Sequence, residues 1–431
     1  MQTRFSEEQL KERSIRESAD VLRRCVHCGF CTATCPTFQV LGDEADSPRG
    51  RIWMMRDMLE KGGAPDKQVV THIDRCLSCL SCRTTCPSGV DYMRLVDHAR
   101  AHINQHYKRP IPDRIFRQFV LLLLVRPKLF RFALKAGGWA APYFKWLPGR
   151  LGALVAHVPE RVPAAPPKKA TYAPQGKAVA KRVALLHGCA TAALGGEIHH
   201  ATIRVLNKLG VEVVMPEATG CCGALHHHAG DEEHARKLAR KNVAAWREAD
   251  VDAVIVNASG CGTTVKDYGH LLTDDADQEA AKWVGAHCME ITEFLDRHDD
   301  WEAQAPEGET VVHHTACSMM HGQGLAGVGE RVLRRAGYEV RGINDAHICC
   351  GSAGSYSLFQ PEISGKLKQR KAANIIQAGG SVMASANLGC MTHLASALPI
   401  PTAHHIELVD WAMGGPIPPS IMAARAKSLN H

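Results

Sequence analysis

Two short cysteine runs near the amino terminus constrain this chain more than any other feature of its sequence. Each has the spacing C-x2-C-x2-C-x3-C-P, and the runs are Cys25, Cys28, Cys31 and Cys35, and Cys76, Cys79, Cys82 and Cys86. In such runs the first three thiolates bind one [4Fe-4S] cluster and the fourth binds the other cluster. We therefore predict one cluster on Cys25, Cys28, Cys31 and Cys86, and a second on Cys76, Cys79, Cys82 and Cys35. Closed Zn(Cys)4 sites are the alternative, but two complete runs ending in Cys-Pro favour iron.

A helix is predicted to begin between the two runs. Asp46-Ser-Pro48 reads as a helix start, because proline suits the first helical position. Arg49 and Arg51 follow directly. We expect their side chains to be solvated at this helix start; the alternative is that they face anionic clusters or a partner.

The composition is that of a globular protein with reduced cysteines. The chain has 431 residues, 51 Lys+Arg and 44 Asp+Glu, for a formal net charge of +7; at roughly 100 to 200 residues per domain this predicts two to four domains. The sequence does not open with a basic stretch followed by an apolar one, so we expect no secretion and a cytoplasmic location. Its 17 cysteines are then thiols available for metal or redox chemistry. The longest apolar run, 119–125, is shorter than the roughly 18 residues of a membrane span.

The cysteines after residue 188 show an internal repeat. A cysteine, a cysteine pair 32 residues later and another cysteine 39 or 40 residues further on occur twice, as Cys189, Cys221-Cys222 and Cys261, and as Cys317, Cys349-Cys350 and Cys390. Two such ladders indicate two homologous domains. We predict a two-cluster domain over 1–107, a basic amphipathic docking segment over 108–157, an extended linker over 158–180, and cysteine-rich domains over 181–300 and 308–431.

Strand and helix patterns alternate through this repeat. Apolar runs rich in β-branched residues end at or just before the cysteines, as in RVALLHGC and SVMASANLGC. We therefore predict an α+β multidomain fold, with a mostly α-helical ferredoxin-like domain followed by two homologous α/β domains with parallel sheets. Ligands collect outside the carboxyl ends of parallel strands. Each α/β domain is thus predicted to have one site of its own, formed by Cys189, Cys221, Cys222 and Cys261 in the first and by Cys317, Cys349, Cys350 and Cys390 in the second.

The Cys-Cys-Gly sequence at 221–223 and 349–351 resembles the CCG domains of heterodisulfide reductases and of several iron–sulfur subunits of flavin dehydrogenases. In that family a complete motif ends in C-x2-C, whereas here Thr264 and His393 stand at the last position. His393 is a competent metal ligand, so the second site is the stronger candidate for a non-cubane cluster or zinc. Buried thiols without a metal are the alternative at the first site.

Further stretches extend the resemblance over nearly the whole chain; they are CVHCGFCTATCPT, DSPRGRI, TTCPSGV, ASGCG and NLGCMTHLASA. With the domain order, they resemble the iron–sulfur subunits of glycolate oxidases, with those of lactate-utilisation and anaerobic glycerol-3-phosphate dehydrogenases as close relatives. The resemblance implies separate FAD subunits that oxidise glycolate to glyoxylate. It implies that this chain carries the electrons to the quinone pool, at the cytoplasmic face of the inner membrane. The alternatives are the iron–sulfur subunit of a lactate or anaerobic glycerol-3-phosphate dehydrogenase, and a heterodisulfide reductase-like catalytic subunit.

The sequence offers no motif for substrate chemistry of its own. No G-x-G-x-x-G follows a predicted strand, and neither a phosphate-binding loop nor a nucleophile elbow is found. We therefore expect no catalytic residue, and no cofactor beyond the clusters and a possible metal at the CCG sites. The histidines at 199–200, 226–228, 313–314 and 404–405 are expected to be exposed or hydrogen-bonded.

Positive charge is concentrated between residues 108 and 150, where ten Lys+Arg stand against one acid, Asp113. Ile115, Phe119 and Leu122 recur at helical spacing, and aromatic residues follow over 139–146, a pattern typical of a helix at an anionic lipid surface. Packing of the same stripe on flavin subunits or on the CCG domains is the alternative. Basic charge also suits nucleic acid, but no nucleic-acid-binding module is recognised and we expect no such partner.

Overall fold

A computed structural model describes residues 1–144, 146, 148–159 and 162–429 of the chain. Residues 145 and 147 of the predicted docking segment, 160 and 161 of the predicted linker, and 430 and 431 of the last predicted domain lie outside the described residues. The chain forms a helical amino-terminal region, three further helices, and two largely parallel sheets flanked by helices. The predicted fold class is confirmed.

The amino-terminal region packs short and medium helices around one apolar core. Its helices are α1 (Arg13–Arg24), α2 (Phe30–Ala33), α3 (Pro36–Leu41), α4 (Pro48–Lys61), α5 (Lys67–Asp74), α6 (Ser81–Thr85) and α7 (Tyr92–His106), with short 3-10 turns at Gln9–Lys11 and Glu44–Asp46. Leu22, Met55 and Leu95 are fully buried between α1, α4 and α7. Helix α4 begins where the sequence predicts, since Ser47 Oγ accepts a hydrogen bond from the Gly50 amide and Pro48 occupies the first turn.

Three helices follow and connect this region to the sheets. They are α8 (Ile111–Leu124), α9 (Pro127–Phe144) and α10 (Gly149–Ala156); we call them the docking helices. On their inner side Phe130 and Leu134 pack against Ala193. On their outer side large apolar side chains are exposed, among them Phe132 and Trp139. None of the described helices is both long and apolar enough to span a bilayer.

The first sheet has the strand order β1-β3-β2-β4-β5. Its strands are β1 (Thr171–Tyr172), β2 (Lys181–Leu185), β3 (Val211–Val214), β4 (Ala253–Val256) and β5 (Cys288–Glu290). Strands β2 to β5 run parallel, whereas β1 pairs antiparallel with β3. Part of the predicted linker is thus an edge strand, because it satisfies backbone groups of the β3 segment that would otherwise lack partners. The Met215 amide, for example, donates to the Ala170 carbonyl at 2.7 Å.

The second sheet has the order β7-β6-β8-β9, with every pair parallel. Its strands are β6 (Thr310–His313), β7 (Glu339–Arg341), β8 (Val382–Ser385) and β9 (Thr402–His404). The first sheet repeats this order in β3-β2-β4-β5. The repeat seen in the cysteine spacing is therefore a repeat of topology as well.

Helices flank both sheets. Those of the first are α11 (Ala190–Leu194), α12 (Gly196–Lys208), α13 (Ala224–His228), α14 (Glu232–Glu248), α15 (Ser259–Lys266), α16 (Tyr268–Leu271), α17 (Gln278–His287) and α18 (Ile291–Asp296). Those of the second are α19 (Val328–Arg335), α20 (Tyr356–Phe359), α21 (Pro361–Ala378), α22 (Leu388–Ala395), α23 (His405–Ala412) and α24 (Pro419–Ser428), with a π-helical turn at Ser318–Gly322.

The two sheet regions are joined by a common core. Leu206 of α12 and Leu408 of α23 belong to one buried apolar cluster that includes strands of both sheets. At its edge Arg204 donates to Asp410 Oδ2 at 2.7 Å. Burial of this continuous apolar surface fixes how the two halves face each other.

Candidate functional site

The two cysteine runs complete each other around two neighbouring cavities. Cys86 of the second run joins the first three cysteines of the first run; this cavity is lined by Cys25, Cys28, Cys31 and Cys86. Cys35 of the first run in turn joins the first three cysteines of the second run. This second cavity is lined by Cys35, Cys76, Cys79 and Cys82. Cys82, Pro48 and Tyr92 line both cavities. The structure thus brings together the two groups of four that the spacing predicts.

The loops between these cysteines have the same unusual backbone in both runs. His27 and Gly29 have φ values of 56° and 87°, and Ser78 and Leu80, at the equivalent positions, have 51° and 61°. Left-handed backbone is costly for residues other than glycine, by about 1–3 kcal/mol, and is found where a site requires it. Here it turns the chain so that successive cysteines face one cavity.

The chemistry of these side chains suits a bound metal. Among the described residues every cysteine is free, and Cys35, Cys76 and Cys82 are buried. Desolvation raises the pKa of Cys82 well above its ordinary value, so a thiolate there needs a nearby cation to balance its charge. Four converging thiols without a disulfide are a donor set for a [4Fe-4S] cluster or for zinc.

A buried arginine lies behind the second cavity. Arg51 is 1% exposed, and its Nη1 donates to Thr37 Oγ1 at 3.0 Å and lies 3.9 Å from Cys35 Sγ. Its Nη2 donates to Asp46 Oδ1 at 3.1 Å. Desolvation opposes the charge, but the acidic groups around it, Cys76 foremost, raise the pKa of Arg51 above its ordinary value. The expectation of a solvated charge is wrong for Arg51, because α4 turns this side chain inward; Arg49 instead pairs with Glu44 at the surface.

The first cavity reaches the protein surface at Cys28, which is exposed. Two large apolar side chains that line this cavity, Val26 and Phe30, are 67% and 63% exposed. We call these two residues the apolar rim. Because exposed apolar clusters beside a site commonly mark protein interfaces, the rim distinguishes the first cavity from the buried second one.

Eight cysteines of the two sheet regions line a single cavity of about 230 Å³. They are Cys189, Cys221, Cys222 and Cys261, and Cys317, Cys349, Cys350 and Cys390. The two predicted sites thus open into one shared space, because the carboxyl ends of the two sheets face each other. Ser259 Oγ and Ser318 Oγ, 2.7 Å apart, join the two sides. We call this space the cysteine cavity; Cys76 and Ser78 of the second run also line it.

Each Cys-Cys-Gly turn has the same geometry. Gly223 and Gly351 have φ values of 89° and 93°, and their amides donate to the sulfur of Cys221 and Cys349 at 3.4 and 3.5 Å. A Cβ at Gly351 would lie 2.8 Å from the Ser364 carbonyl oxygen. The glycine is thus required both for the left-handed turn and for close packing.

Sulfur atoms approach one another within each set. Cys189 and Cys221 Sγ are 3.6 Å apart, Cys317 and Cys349 Sγ are 3.7 Å apart, and Cys350 and Cys390 Sγ are 3.4 Å apart. Thiols this close suit binding to a common metal centre.

The structure does not bring the residues at the last motif position, Thr264 and the candidate ligand His393, to the cavity wall. Thr264 Oγ1 donates to the Gly260 carbonyl of its own helix. His393 Nε2 lies 3.3 Å from Ser364 Oγ, and its ring stacks on His157 at 5.9 Å. Both lie one turn along their helices from Cys261 and Cys390, where the cavity has already ended.

His314 is instead the histidine beside the second cysteine set. One of its ring nitrogens and the sulfur atoms of Cys350 and Cys390 all lie within 4.8 Å of one another. Desolvation lowers the pKa of His314 to about 3, so the ring is neutral and able to bind a metal. Sequence reasoning noted the doublet but did not assign it; the available signal was its position at the end of β6, three residues before Cys317.

The histidine triplet after the first Cys-Cys-Gly turn makes hydrogen bonds, as expected. His226 Nδ1 lies 2.8 Å from Asp231 Oδ2, and His227 Nε2 lies 3.2 Å from Asp97 Oδ2. His228 also faces Asp97 and lines the cysteine cavity. The triplet therefore joins the first sheet region to α7 of the helical region.

Several arginines of the basic segment are used inside the protein. Arg109 and Arg117 pair with Asp74 at 2.6 and 2.9 Å, and Arg150 pairs with Asp113 at 2.5 Å. Outside these pairs, Lys128 and Lys135 are exposed and form no salt bridge within the described part of the chain. The outer face of the docking helices is thus basic as well as apolar.

Comparison with known families gives the class of protein. Residues 21–90 match the family described as "4Fe-4S dicluster domain", and residues 183–266 and 311–395 match "Cysteine-rich domain". The chain is therefore an iron–sulfur protein with one dicluster domain and two cysteine-rich domains.

Its relatives identify the family. The chain is 39% identical to "Glycolate oxidase iron-sulfur subunit" of Escherichia coli, over 96% of this chain and 99% of the relative. It is 31% identical to "Probable glycolate oxidase iron-sulfur subunit" of Bacillus subtilis, over 86% and 88%. "Lactate utilization protein A" of Exiguobacterium matches at 27% over 53% of this chain and 96% of the relative. The chain belongs to the family of glycolate oxidase iron–sulfur subunits, and the resemblance found in its sequence is confirmed.

One solved structure shares the fold. It is the crystal structure of a hypothetical protein from Helicobacter pylori, with a TM-score of 0.51, 9% sequence identity, and coverage of 96% of this chain and 76% of that chain. At this identity the likeness concerns the fold alone.

Proposed function

We propose that this chain transfers electrons within a glycolate-oxidising complex, from FAD subunits to a quinone. The observation that carries the proposal is a row of three cysteine-lined cavities with shared walls. The first and second cavities share Cys82 and Tyr92, and the second shares Cys76 and Ser78 with the cysteine cavity. When bound, [4Fe-4S] clusters each accept and release one electron. A row of such sites suits stepwise electron transfer better than substrate chemistry.

We assign the ligands by the cavities that the cysteines line. Cys25, Cys28, Cys31 and Cys86 would hold the first [4Fe-4S] cluster, and Cys76, Cys79, Cys82 and Cys35 the second. The eight cysteines that the two sheet regions contribute to the cysteine cavity, with His314, would hold a further metal centre or centres, either iron–sulfur or zinc.

The direction of transfer follows from exposure. Cys28 and the apolar rim give the first cavity an open side where a partner can dock. The thiols of the second cavity are more buried, and behind them Arg51 supplies a fixed positive charge that favours the more negative, reduced state of a bound cluster. Electrons would thus enter at Cys28 and move inward to the cysteine cavity.

The test is to purify the chain anaerobically with its FAD subunits and add glycolate. Reduced iron–sulfur signals are expected in electron paramagnetic resonance, and lactate tests the alternative substrate. Cys28→Ser is expected to lose the signal of the first site while glycolate still reduces FAD. Cys288→Ser is the matched control, since Cys288 is buried in β5 and lines none of the three cavities. Reduction of FAD without any reduction of iron in the unaltered complex would refute the proposal.

A further inference from the structure

The docking helices cover an apolar cavity of about 360 Å³ that the proposed electron route does not yet use. Phe119 and Val120 of α8, Phe130 and Leu134 of α9, and Leu154 and Val155 of α10 line it on one side. Residues of α11, α13, α20 and α22 and of the loop before α20 close it on the other. Its volume lies within the range of small-molecule sites, roughly 300–1,000 Å³, and such sites are mostly apolar with a few polar groups.

A thin wall separates this cavity from the cysteine cavity. Ala190, Leu225, Gly354 and Gly389 line both spaces. Three of these four residues are alanine or glycine, and Gly389 directly precedes Cys390. A flat molecule in the apolar cavity would therefore lie against the backbone that carries the cysteine ligands.

The other side of the cavity reaches the exposed face of the docking helices. Phe119 and Phe144 line the cavity and are themselves 50% and 45% exposed. On the outer face of α9, Phe132 and Trp139 are 69% and 87% exposed. These exposed apolar side chains would give a hydrophobic molecule contacts on its way into the cavity from a lipid phase.

A few polar groups lie at the wall formed by the second sheet region. His157 Nε2 lies 3.1 Å from Ser357 Oγ, and both residues line the cavity with Ser352 and Thr392. His157 is also solvent-exposed. Hydroxyl and imidazole groups can donate hydrogen bonds to carbonyl oxygens, and an exposed imidazole can relay protons from water.

We propose that this apolar cavity is the binding site of the quinone. The inference rests on the proposed function and adds where the acceptor binds. Glycolate oxidation on the FAD subunits releases two electrons, which the chain delivers one at a time. The quinone takes up these two electrons and two protons from water at the His157 side, and leaves as the quinol. Its ring would lie near Gly354 and Gly389, and its apolar tail would extend between Phe119 and Phe144.

Filling the cavity tests this assignment in the intact complex with its FAD subunits. Ala133→Trp places a large ring in the cavity, because Ala133 lines it. Ala136→Trp is the matched control on the same helix, since Ala136 is exposed and does not line the cavity. With decylubiquinone, a short-tailed benzoquinone, Ala133→Trp is expected to lower glycolate-dependent quinone reduction at least tenfold. Ala136→Trp is expected to leave it within twofold of the unaltered complex.

Two further readouts separate failure of the site from failure of the function. Both variants are expected to keep glycolate-dependent reduction of iron and of ferricyanide, a water-soluble acceptor. Wild-type rates of quinone reduction in Ala133→Trp would overturn the cavity assignment while leaving the electron route intact. If glycolate did not reduce the iron of the unaltered complex, the electron route itself would be wrong.

A labelling experiment on the unaltered complex covers the case in which Ala133→Trp fails to fold. An azido-benzoquinone is photolysed in the complex and the labelled peptides are identified. Label is expected in α8 to α10 and in the segment 352–358, and excess decylubiquinone is expected to suppress it. Specific label confined to other segments would overturn the assignment.

Discussion

At the scale of single residues, the buried pair of Arg51 and Asp46 holds neighbouring helices of the amino-terminal region together. Asp46 is fully buried and accepts hydrogen bonds from Arg51 at 3.1 Å and from Arg75 at 2.8 Å. Arg51 also donates to the His72 carbonyl at 2.7 Å, which connects α4 to α5. Removing one partner from a buried charge pair leaves the other uncompensated, and this is strongly destabilising.

Arg51→Met should therefore lower the free energy of unfolding by about 3 kcal/mol, the low end of the range for a broken buried pair, since Arg75 still contacts Asp46. Arg49→Gln is the matched control on the same helix. It breaks the exposed pair with Glu44 and a 3.4 Å hydrogen bond from Nη1 to the His27 carbonyl, and should cost about 1 kcal/mol. Urea unfolding under anaerobic conditions measures both, and equal midpoints for the two variants would contradict the structural role of Arg51.

Sequence reasoning missed Arg51 and His314 for the same reason. The pattern Asp46-Ser-Pro-Arg-Gly-Arg51 shows a helix start but does not say which arginine faces inward. The doublet His313-His314 shows a strand end, yet its neighbours Cys350 and Cys390 come from segments at least 36 residues away. Such contacts depend on how strands are ordered in the sheet, which local patterns do not specify.

At the scale of elements, the Cys-Cys-Gly turn is what presents two adjacent cysteines to one cavity. Gly351 must be left-handed, and the space where a Cβ would lie is taken by the Ser364 carbonyl oxygen. The equivalent Gly223 packs against the Ala235 backbone in the same way. Both glycines thus form the same left-handed turn.

Gly351→Ala should destabilise the chain by about 1–3 kcal/mol, because alanine is strained at this φ and would clash. It should also lower the metal content of the cysteine cavity. Gly365→Ala, one residue beyond Ser364 on α21, has open space for a methyl group and should stabilise the helix by up to about 1 kcal/mol. Thermal unfolding and metal analysis compare the two; the same sign of change in both variants would refute the account of the turn.

The docking helices are the second element with a testable role. Their exposed Trp139, together with Lys128 and Lys135, suits the interface of an anionic membrane. Trp139→Ser should weaken co-sedimentation with vesicles containing anionic lipid, whereas Trp283→Ser, a partly exposed tryptophan of α17, should not. Unchanged vesicle binding by Trp139→Ser, with loss of the FAD subunits, would show that the face docks on protein instead.

At the scale of the whole molecule, three regions meet around the cysteine cavity, and a titratable contact helps to hold them. His227 of α13 faces Asp97 of α7, with His228, Asp267 and Glu232 nearby. Desolvation disfavours the charged form of both His227 and Asp97. The opposite charge of the partner side chain nevertheless favours the charged form of each. The pKa of His227 is raised by Asp97, and the pKa of Asp97 is lowered by His227.

The signs of these shifts define a pH window. A raised histidine pKa stabilises the fold below its unfolded value of 6.5, and this contribution is lost as the pH rises through the folded pKa. The lowered carboxyl pKa contributes above 3.8 and is lost as the pH falls. The contact should thus be strongest between about pH 4 and 6.5. The free energy of unfolding should decline above pH 6.5 in the unaltered chain, and this decline should be smaller in His227→Gln. His287→Gln is the control and should keep the full decline, since the His287 ring contacts Trp283 of its own helix.

Much of the domain plan could be predicted from the sequence, because cysteine spacing and strand patterns are local. The two runs, the cysteine repeat and the strand ends before Cys189, Cys261, Cys317 and Cys390 could be identified in this way. The single shared cavity was not, since it depends on the packing of α12 against α23 and on which edges of the sheets face each other. The edge strand β1 was not predicted, because the sequence around it is rich in proline and is typical of a linker.

The exchange of Cys35 and Cys86 between the two runs has a consequence for assembly. Each cavity draws cysteines from both halves of a segment about 60 residues long, so filling either one closes the same long loop. The entropy of that closure is lost once, with the first cluster, and the second then meets ligands already in position. Maturation of the two sites should accordingly be cooperative, with half-filled molecules scarce at equilibrium.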